Sequence, residues 1–327
     1  MSDAKPPVIV TGGAGYIGSH TCKALAQAGF EPVTVDNLSA GHRWAVQWGP
    51  LVQLDVRDTN SLERVLAAYK PVGVLHFAAH IDVAQSLRTP LAFYRNNVGG
   101  LLSVLDAMTR TAVPHCVFSS TAAVYGEPDT VPIPEDAPLR PQTPYGTSKL
   151  TGERILADLA ASGGLSYIAL RYFNAAGADP DGAIGEAHDP ETHLVPNAIR
   201  AATDGGQPLT VNGTAFPTAD GTAVRDYVHV TDLADAHVRA LRHLIDGAPS
   251  DALNVGTGTG ISVLEVVKAC ATVIGTPPPY ALGPQRAGDP ARLVAAGDRI
   301  RSVLDWQPVN STLANIIATA ARWHAGC

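Results

Sequence analysis

Cysteine is scarce: Cys22, Cys116, Cys270 and Cys327 are the only 4 in 327 residues, and no C-x-x-C pair occurs. That excludes a zinc ribbon or a dithiol redox motif, and a chain of this length needs no disulfide framework. Free structural thiols are expected. Charged residues make up only 16%, with 30 acids against 23 bases for a formal net charge of −7. No run of Lys or Arg is long enough to track a phosphate backbone, so nucleic acid is not an expected partner. No apolar stretch approaches the roughly 18 residues that a membrane helix needs. The opening MSDAKPPVIV has too few apolar residues for a signal-peptide core. A cytoplasmic protein without membrane attachment is expected.

A hydrophobic share of 46% leaves ample material for a core, and the length fits one large domain or two interleaved ones. Through the first half, short β-branched runs at 8–11, 32–36, 51–55, 72–77, 116–119 and 167–172 alternate with helical spacing at 15–29, 61–69, 90–111 and 145–161. This alternation predicts an α/β fold, a doubly wound parallel sheet of Rossmann type. In the segment 90–111, Leu91, Tyr94, Val98, Leu101, Leu102, Leu105 and Met108 form a stripe that the sheet is expected to cover. After Asn174, Gly, Pro, Asp and His accumulate, and a smaller C-terminal α/β region is expected. The division predicted is 1–173 and 174–327, with about 227–255 returning to pack on the first region. Within the second, 231–244 reads as a helix capped by Thr231, and Ser311 or Thr312 as the cap of a last helix reaching Trp323.

The first strand runs into Gly12-Gly13-Ala14-Gly15-Tyr16-Ile17-Gly18 and then a helix. A dinucleotide pyrophosphate needs a turn with φ > 0, an approach unobstructed by Cβ, and a helix N-terminus facing the anion. Gly12, Gly15 and Gly18 can supply these, with Tyr16 and Ile17 in the same loop. The next strand ends at Asp36, whose carboxylate would accept from a ribose diol and repel a 2′-phosphate, which favours NAD over NADP. Asp55-Val56, at the end of the third strand, is placed to flank an adenine.

Tyr145 and Lys149 form a Tyr-x-x-x-Lys pair on one helix face. By chance about 0.14 such pairs would occur in this composition, so the pair means little outside its context. Upstream, Phe118-Ser119-Ser120-Thr121 leaves a strand and carries a hydroxyl to the carboxyl edge of the sheet, where ligands bind in doubly wound folds. A phenol titrates near 10, so Tyr145 acts as a base at neutral pH only if positive charge, from Lys149 and an oxidised nicotinamide, stabilises its phenolate.

TGGAGYIGSH, HFAA, SSTAAVYG, PYGTSK, RYFNAAGA and DGTAVRDYVHV together resemble the extended short-chain dehydrogenase/reductase family. Within it they closely resemble the UDP-glucose (UDP-galactose) 4-epimerases, from Val8 to about Trp323. The resemblance implies an isomerase that binds NAD through 1–173 and a UDP-sugar through 174–327. It would invert C4 through a 4-keto sugar and interconvert UDP-galactose and UDP-glucose. Thr121 and Tyr145 would act on the 4-hydroxyl, with Lys149 holding the nicotinamide ribose. Asp36, Asn37, Asp55, Val56, Phe77, Ala78, Asn96 and Tyr172 would contact the cofactor, and Phe173 and Asn174 the substrate. Arg225 and Arg286 would hold the diphosphate, Asp289 the uridine ribose, Leu194 and Val211 the surroundings of the uracil, and His193 the nucleotide. Leu293 matches a position that gates bulk at the sugar C2, and its intermediate size leaves open whether UDP-GalNAc/UDP-GlcNAc are also substrates. The family's pairing of protomers through 90–111 and 145–161 implies a homodimer.

Ala122-Ala123 stands where the family's 4,6-dehydratases carry Asp-Glu, which argues against dehydration, since elimination needs a further acid and base. Ile81 replaces a lysine common in the epimerases. Glu186, His188, Asp189, Glu191 and His193 have the residue types of metal ligands, but their spacing repeats no known signature. Hydride chemistry needs no Lewis acid, and no metal is expected. The alternative readings are an epimerase of another UDP-sugar, such as a UDP-pentose or UDP-hexosamine, then a dehydrogenase that exchanges NAD, or an NAD-binding sensor without turnover.

Overall fold

Val8, Ile9 and Val10 are wholly enclosed, as expected of a strand covered by helices on both faces. They belong to β1 (Pro7–Thr11), at the heart of a seven-stranded sheet. The computed structural model describes residues 5–203, 207–286 and 288–326. β1 pairs in parallel with β2 (Glu31–Asp36) on one side and with β4 (Gly73–His76) on the other. β3 (Leu51–Gln53) extends the sheet beyond β2; β5 (His115–Thr121), β6 (Ser166–Tyr172) and the strand Asp251–Val255 extend it beyond β4. The chain winds outward from β1 in one direction and then returns to wind in the other. The carboxyl ends of β1 and β4 therefore flank the topological switch point, where such sheets bind ligands.

Helices Thr59–Tyr69 and Gly99–Thr111 pack Leu62, Leu66, Leu101, Leu105 and Met108 into one core with Ile9 and Val35 of the sheet. The segment expected as one helix from Pro90 to Thr111 is instead helix Pro90–Phe93, a wide π-type turn Tyr94–Val98, and helix Gly99–Thr111. The wide turn carries Asn97, whose amide accepts from the His80 N–H (2.8 Å) and donates to the His80 carbonyl (3.1 Å) and to Ser148 Oγ (3.1 Å). The sheet does not cover the whole predicted stripe: Leu91 and Leu102 are exposed, while Leu101, Leu105 and Met108 are buried.

The chain clusters into two units. The first comprises residues up to Val124, Pro141–Arg171 and Ala234–Leu253; the second comprises Tyr125–Arg140, Tyr172–Leu233 and Asn254 onward. Residues 125–140, which the sequence reading left in the first region, cluster with the second.

In the second unit, strand Val224–His229 pairs with Asn174–Ala176 and Arg292–Leu293 in parallel and with Gly260–Ser262 antiparallel. Strand Leu209–Asn212 pairs with Tyr280–Gly283. Helices Leu194–Thr203, Val263–Ile274 and Leu313–Gly326 enclose a core of Val195, Ile199, Tyr227, Val266, Cys270 and Ile316. A complete capping box, Ser262 with Glu265, starts the middle helix. Thr312 caps the last one by accepting from the Asn315 N–H (3.3 Å). Thr231 is not a cap: helix Val230–Ile245 starts one residue earlier, and the Thr231 hydroxyl lies 2.7 Å from His229 Nδ1. Cys22, Cys116 and Cys270 are free and buried, and burial pushes each thiol up to about 12; Cys327 lies outside the described residues. Among the described residues no helix is long and apolar enough to cross a membrane.

Candidate active site

Where β1 ends, Gly12 takes φ +74, a conformation glycine adopts without strain. A Cβ there would lie 2.7 Å from the Ala78 nitrogen, in the loop that follows β4. A Cβ on Gly18 would lie 2.2 Å from the Gly12 carbonyl oxygen, so only glycine lets helix Tyr16–Gln27 sit this close to the turn. Gly15 is the helix N-cap and offers no side chain to the first-turn N–H groups. The amides of Tyr16, Ile17 and Gly18 have no intrahelical acceptor and carry the positive end of the helix dipole.

Asp36 ends β2 and is buried. Its two oxygens accept from the N–H groups of Ala14 (3.1 Å) and Leu38 (2.8 Å). Burial raises its pKa, and these two hydrogen bonds oppose the rise. Each oxygen keeps a second lone pair for a ligand. Asp55 is held by Arg57 (2.7 Å) and by the Asn37 amide (3.2 Å), and its pKa falls well below the usual carboxylate range, chiefly through Arg57. Val56 is part of the core and abuts Gly100, so its backbone rather than its side chain is what it can offer a ring. Phe77 packs on His237 at 4.7 Å, and its N–H donates to the Thr11 carbonyl (2.9 Å). Asn96 donates to Asn97 (3.1 Å), and Ile81 is exposed.

At the end of β5, Thr121 Oγ1 accepts from the Ala123 N–H (3.2 Å) and is hydrogen-bonded to Tyr145. Thr143 caps helix Pro144–Ala161 and fixes the start of the turn that carries Tyr145. Gly146 is required there, because a Cβ would stand 2.6 Å from the Ala123 carbonyl. Lys149 Nζ donates to the Ser119 carbonyl (2.7 Å) and lies over the Phe118 ring. Burial pushes this ammonium down to about 7, and the charge of Glu153 one turn on partly restores it. Burial also raises the Tyr145 phenol, with Thr121 opposing. Desolvation is the largest influence on the Tyr145 phenol, and it is this that positive charge from Lys149 and an oxidised nicotinamide has to offset for the phenol to act as a base.

Three residues behind this group escaped the sequence reading. Glu153 and Arg171 form an enclosed two-pronged pair (2.7 and 3.0 Å), and Ser120 donates to the same carboxylate. Glu153 lies four residues after Lys149, the one spacing that could have flagged it. His76, bonded to Thr11 (2.8 Å), is held neutral by burial, down to about 3, as a structural histidine.

In the second unit, Arg225, Asp289 and Leu293 meet. Arg225 is salt-bridged to Asp289, and its other guanidinium nitrogen donates to the Val224 carbonyl (2.8 Å). Leu293 is in register beside Arg225 in the paired strands. Arg286 is exposed three residues before Asp289. Next to Arg225, the buried Asp226 was not singled out; it accepts from the N–H groups of Thr257, Gly258 and Ala295 and so ties down two loops. Asn174 opens its strand opposite Tyr227, following Tyr172 and Phe173. Leu194 opens helix Leu194–Thr203 and packs on the core. Val211 is wholly inside the core, which leaves its backbone as what it can offer a base. His193 Nδ1 contacts Glu186 (2.7 Å) and Glu191 (3.2 Å). Burial alone would lower this imidazole, but the two carboxylates push it up to about 10.

The profile of the NAD dependent epimerase/dehydratase family matches residues 8–256. The chain belongs to this family. Its sequence is 50% identical over 318 residues to a UDP-glucose 4-epimerase of Rhizobium leguminosarum bv. trifolii, covering 97% of each chain. Two solved structures superpose on it closely. A UDP-glucose 4-epimerase from Brucella ovis in complex with NAD gives a TM-score of 0.94 at 48% identity over 97% of each chain. One from Stenotrophomonas maltophila, with bound NAD and formylated UDP-arabinopyranose, gives 0.95 at 39% identity over 98% of each chain. Family membership and the fold of these epimerases agree with the doubly wound α/β reading and with the resemblance drawn from the motifs.

Proposed function

We propose that this epimerase-family chain interconverts UDP-galactose and UDP-glucose by inversion at C4, with NAD as a resident cofactor. The observation that carries the proposal is the meeting of Thr121, Tyr145 and Lys149 at the end of β5, two strands from the glycine turn at the end of β1. The residues present fit a dinucleotide: Gly12 and Gly18 let the turn, the loop after β4 and the start of the helix approach more closely than any Cβ would allow, the helix N-terminus opens at that turn, and Asp36 stands where a ribose diol would be read. Bound NAD supplies the acceptor and donor of the C4 hydride.

Tyr145 takes the proton of the sugar 4-hydroxyl and returns it after the ketone has turned over. Thr121, hydrogen-bonded to the phenol, steers that proton. Lys149 anchors the nicotinamide ribose. Glu153, locked by Arg171 and Ser120, sustains the positive charge of Lys149. Asn37, Asp55, the backbone of Val56, Phe77, Ala78, Asn96 and Tyr172 complete the cofactor contacts.

The division of labour follows 1–173 and 174–327, with residues 234–253 belonging to the first unit. In the second unit, Arg225 and Arg286 serve the diphosphate, Asp289 the ribose, Leu194 and the Val211 backbone the base, and Phe173, Asn174 and His193 the substrate loop. A firm grip on UDP and a loose one on the hexose puts binding energy on the part that does not react, which lets the ketone rotate. Ala122 and Ala123 give no acid or base for elimination.

The protein would act in the cytoplasm as a homodimer. Leu91 and Leu102, 66% and 49% exposed on the 90–111 segment, support a pairing face there. Incubating the purified protein with UDP-galactose and no added cofactor should yield UDP-glucose by NMR, up to a fixed ratio. No conversion, even after NAD is added, would refute the assignment and shift it to another nucleotide sugar.

A further inference from the structure

The loop from Gly185 to His193 is pinned to the last helix of the second unit. A Cβ on Gly185 would fall 2.3 Å from the Trp323 ring, and Trp323 Nε1 donates to the Glu186 carbonyl (3.0 Å). The folded loop gathers four side chains that the sequence spacing did not present as a site. One ligand atom from each of Glu186, His188, Glu191 and His193 lies within 4.8 Å of all the others. The carboxylates are 4% and 1% exposed, and the imidazoles reach them from the more open side.

Hydrogen bonding leaves this cluster incompletely satisfied. Glu191 Oε1 accepts from the N–H groups of Thr192 (2.8 Å) and His193 (2.9 Å), whereas Glu191 Oε2 is buried without any hydrogen-bond partner. Its nearest ionic neighbour is His188 Nδ1 at 3.9 Å. Each Nδ1 carries at most one proton, yet oxygens of both carboxylates converge on it: 3.1 and 3.9 Å at His188, 2.7 and 3.2 Å at His193. A tetrahedral ion with bonds of about 2.0–2.1 Å separates its ligands by about 3.3–3.4 Å; Glu186 Oε1 lies 3.1 and 2.7 Å from the two imidazoles and Glu191 Oε2 lies 3.9 Å from His188, on either side of that value. Two imidazoles and two carboxylates suit a borderline metal rather than magnesium or calcium, which prefer all-oxygen sites.

We propose that Glu186, His188, Glu191 and His193 bind one divalent transition-metal ion of the zinc class, a closed four-ligand site that clips the loop leading into helix Leu194–Thr203. This departs from the expectation of no metal. The expectation rested on spacing along the chain and on hydride chemistry that needs no Lewis acid; the loop folds back to bring its two ends together. The ion is structural: the proposal gives it no part in the C4 chemistry.

The test uses the full chain, stripped with EDTA and titrated with zinc against a chromophoric chelator. One zinc per chain is expected. Glu191→Gln and His188→Gln should each weaken binding by more than about 10–100-fold, the loss that even outer-shell partners of a metal cause. Added zinc should raise the Tm of the parent chain and not that of the variants. Cobalt gives a second readout that depends on no variant: loading the parent chain should produce the intense visible bands of four-coordinate Co²⁺. A parent chain that binds zinc no more tightly than the two variants, or that gives only the weak spectrum of six-coordinate cobalt, overturns the proposal.

Discussion

In the first unit the residues assigned to the cofactor come in short runs at strand ends: Gly12 to Gly18 after β1, Asp36 closing β2, Phe77 and Ala78 after β4. In the second, Arg225 and Asp289 are 64 positions apart and meet only because two strands pair. The contrast reflects what each ligand demands. A pyrophosphate on a helix N-terminus is held by backbone, and backbone geometry is imposed locally by glycine and by the order of elements. A nucleotide held by side chains leaves no such local trace. The two units also differ in how they seal their ion pairs: Glu153–Arg171 is closed off, 6% exposed on both sides, while Arg225–Asp289 stays part-open at 12% and 27%. The first arrangement fixes a framework, and the second is open enough to exchange partners, as the diphosphate role proposed for Arg225 requires.

The sharpest way to break this comparison is at the chemistry. Tyr145→Phe should lower kcat by about 10²–10⁴-fold, the usual worth of a general acid–base group, while UDP affinity measured by calorimetry stays within about 2-fold of the parent, since an alteration in one unit leaves an independent site in the other untouched. A comparable loss of UDP binding would show that the division of labour is wrong. Next, Arg171→Ala leaves the Glu153 carboxylate buried and unpaired and should cost about 3–5 kcal/mol in urea unfolding. A cost below about 1 kcal/mol, the range of surface pairs, would mean that the pair is not sealed. Arg225→Gln should weaken UDP by about 10–100-fold, the worth of a charge-assisted hydrogen bond to a buried acceptor, with little change in Tm. An unchanged affinity would leave Arg225 to Asp289 and the Val224 carbonyl, with no part in holding the diphosphate.

A further effect concerns pH. Lys149 is held down at about 7 in the fold against about 10.4 in the unfolded chain. Between those values the unfolded chain binds the extra proton, so this lysine makes stability rise with pH. Lys149→Met removes the slope: the Tm difference between variant and parent should be most positive at pH 7 and shrink towards pH 10. A difference independent of pH would mean that burial does not depress this lysine.

The strands β1 to β6 were legible because a sheet covered on both faces writes continuous apolar runs, and the glycine turn because no other residue fits beside Ala78 and Gly18. Tyr145 and Lys149 were legible as an i, i+4 pair. The π-type turn at Tyr94–Val98 was not, since it is imposed by Asn97 reaching a distant loop at His80. Nor was Glu153, which reads as an ordinary polar position of a helix until β6 places Arg171 opposite it. Val211 was placed near the base by resemblance, and that its side chain packs in the core, leaving only backbone for such a role, was not legible from the sequence. That Glu186, His188, Glu191 and His193 come within 4.8 Å of one another was not legible either, because separation along the chain says nothing about where a loop folds back.

The central claim is that C4 gives up a hydride and receives it back without net redox change. UDP-galactose carrying deuterium at C4, incubated with the purified protein in ordinary water with no added cofactor, tests it most directly. The account predicts UDP-glucose that keeps deuterium at C4. UDP-glucose carrying solvent hydrogen at that carbon would contradict it.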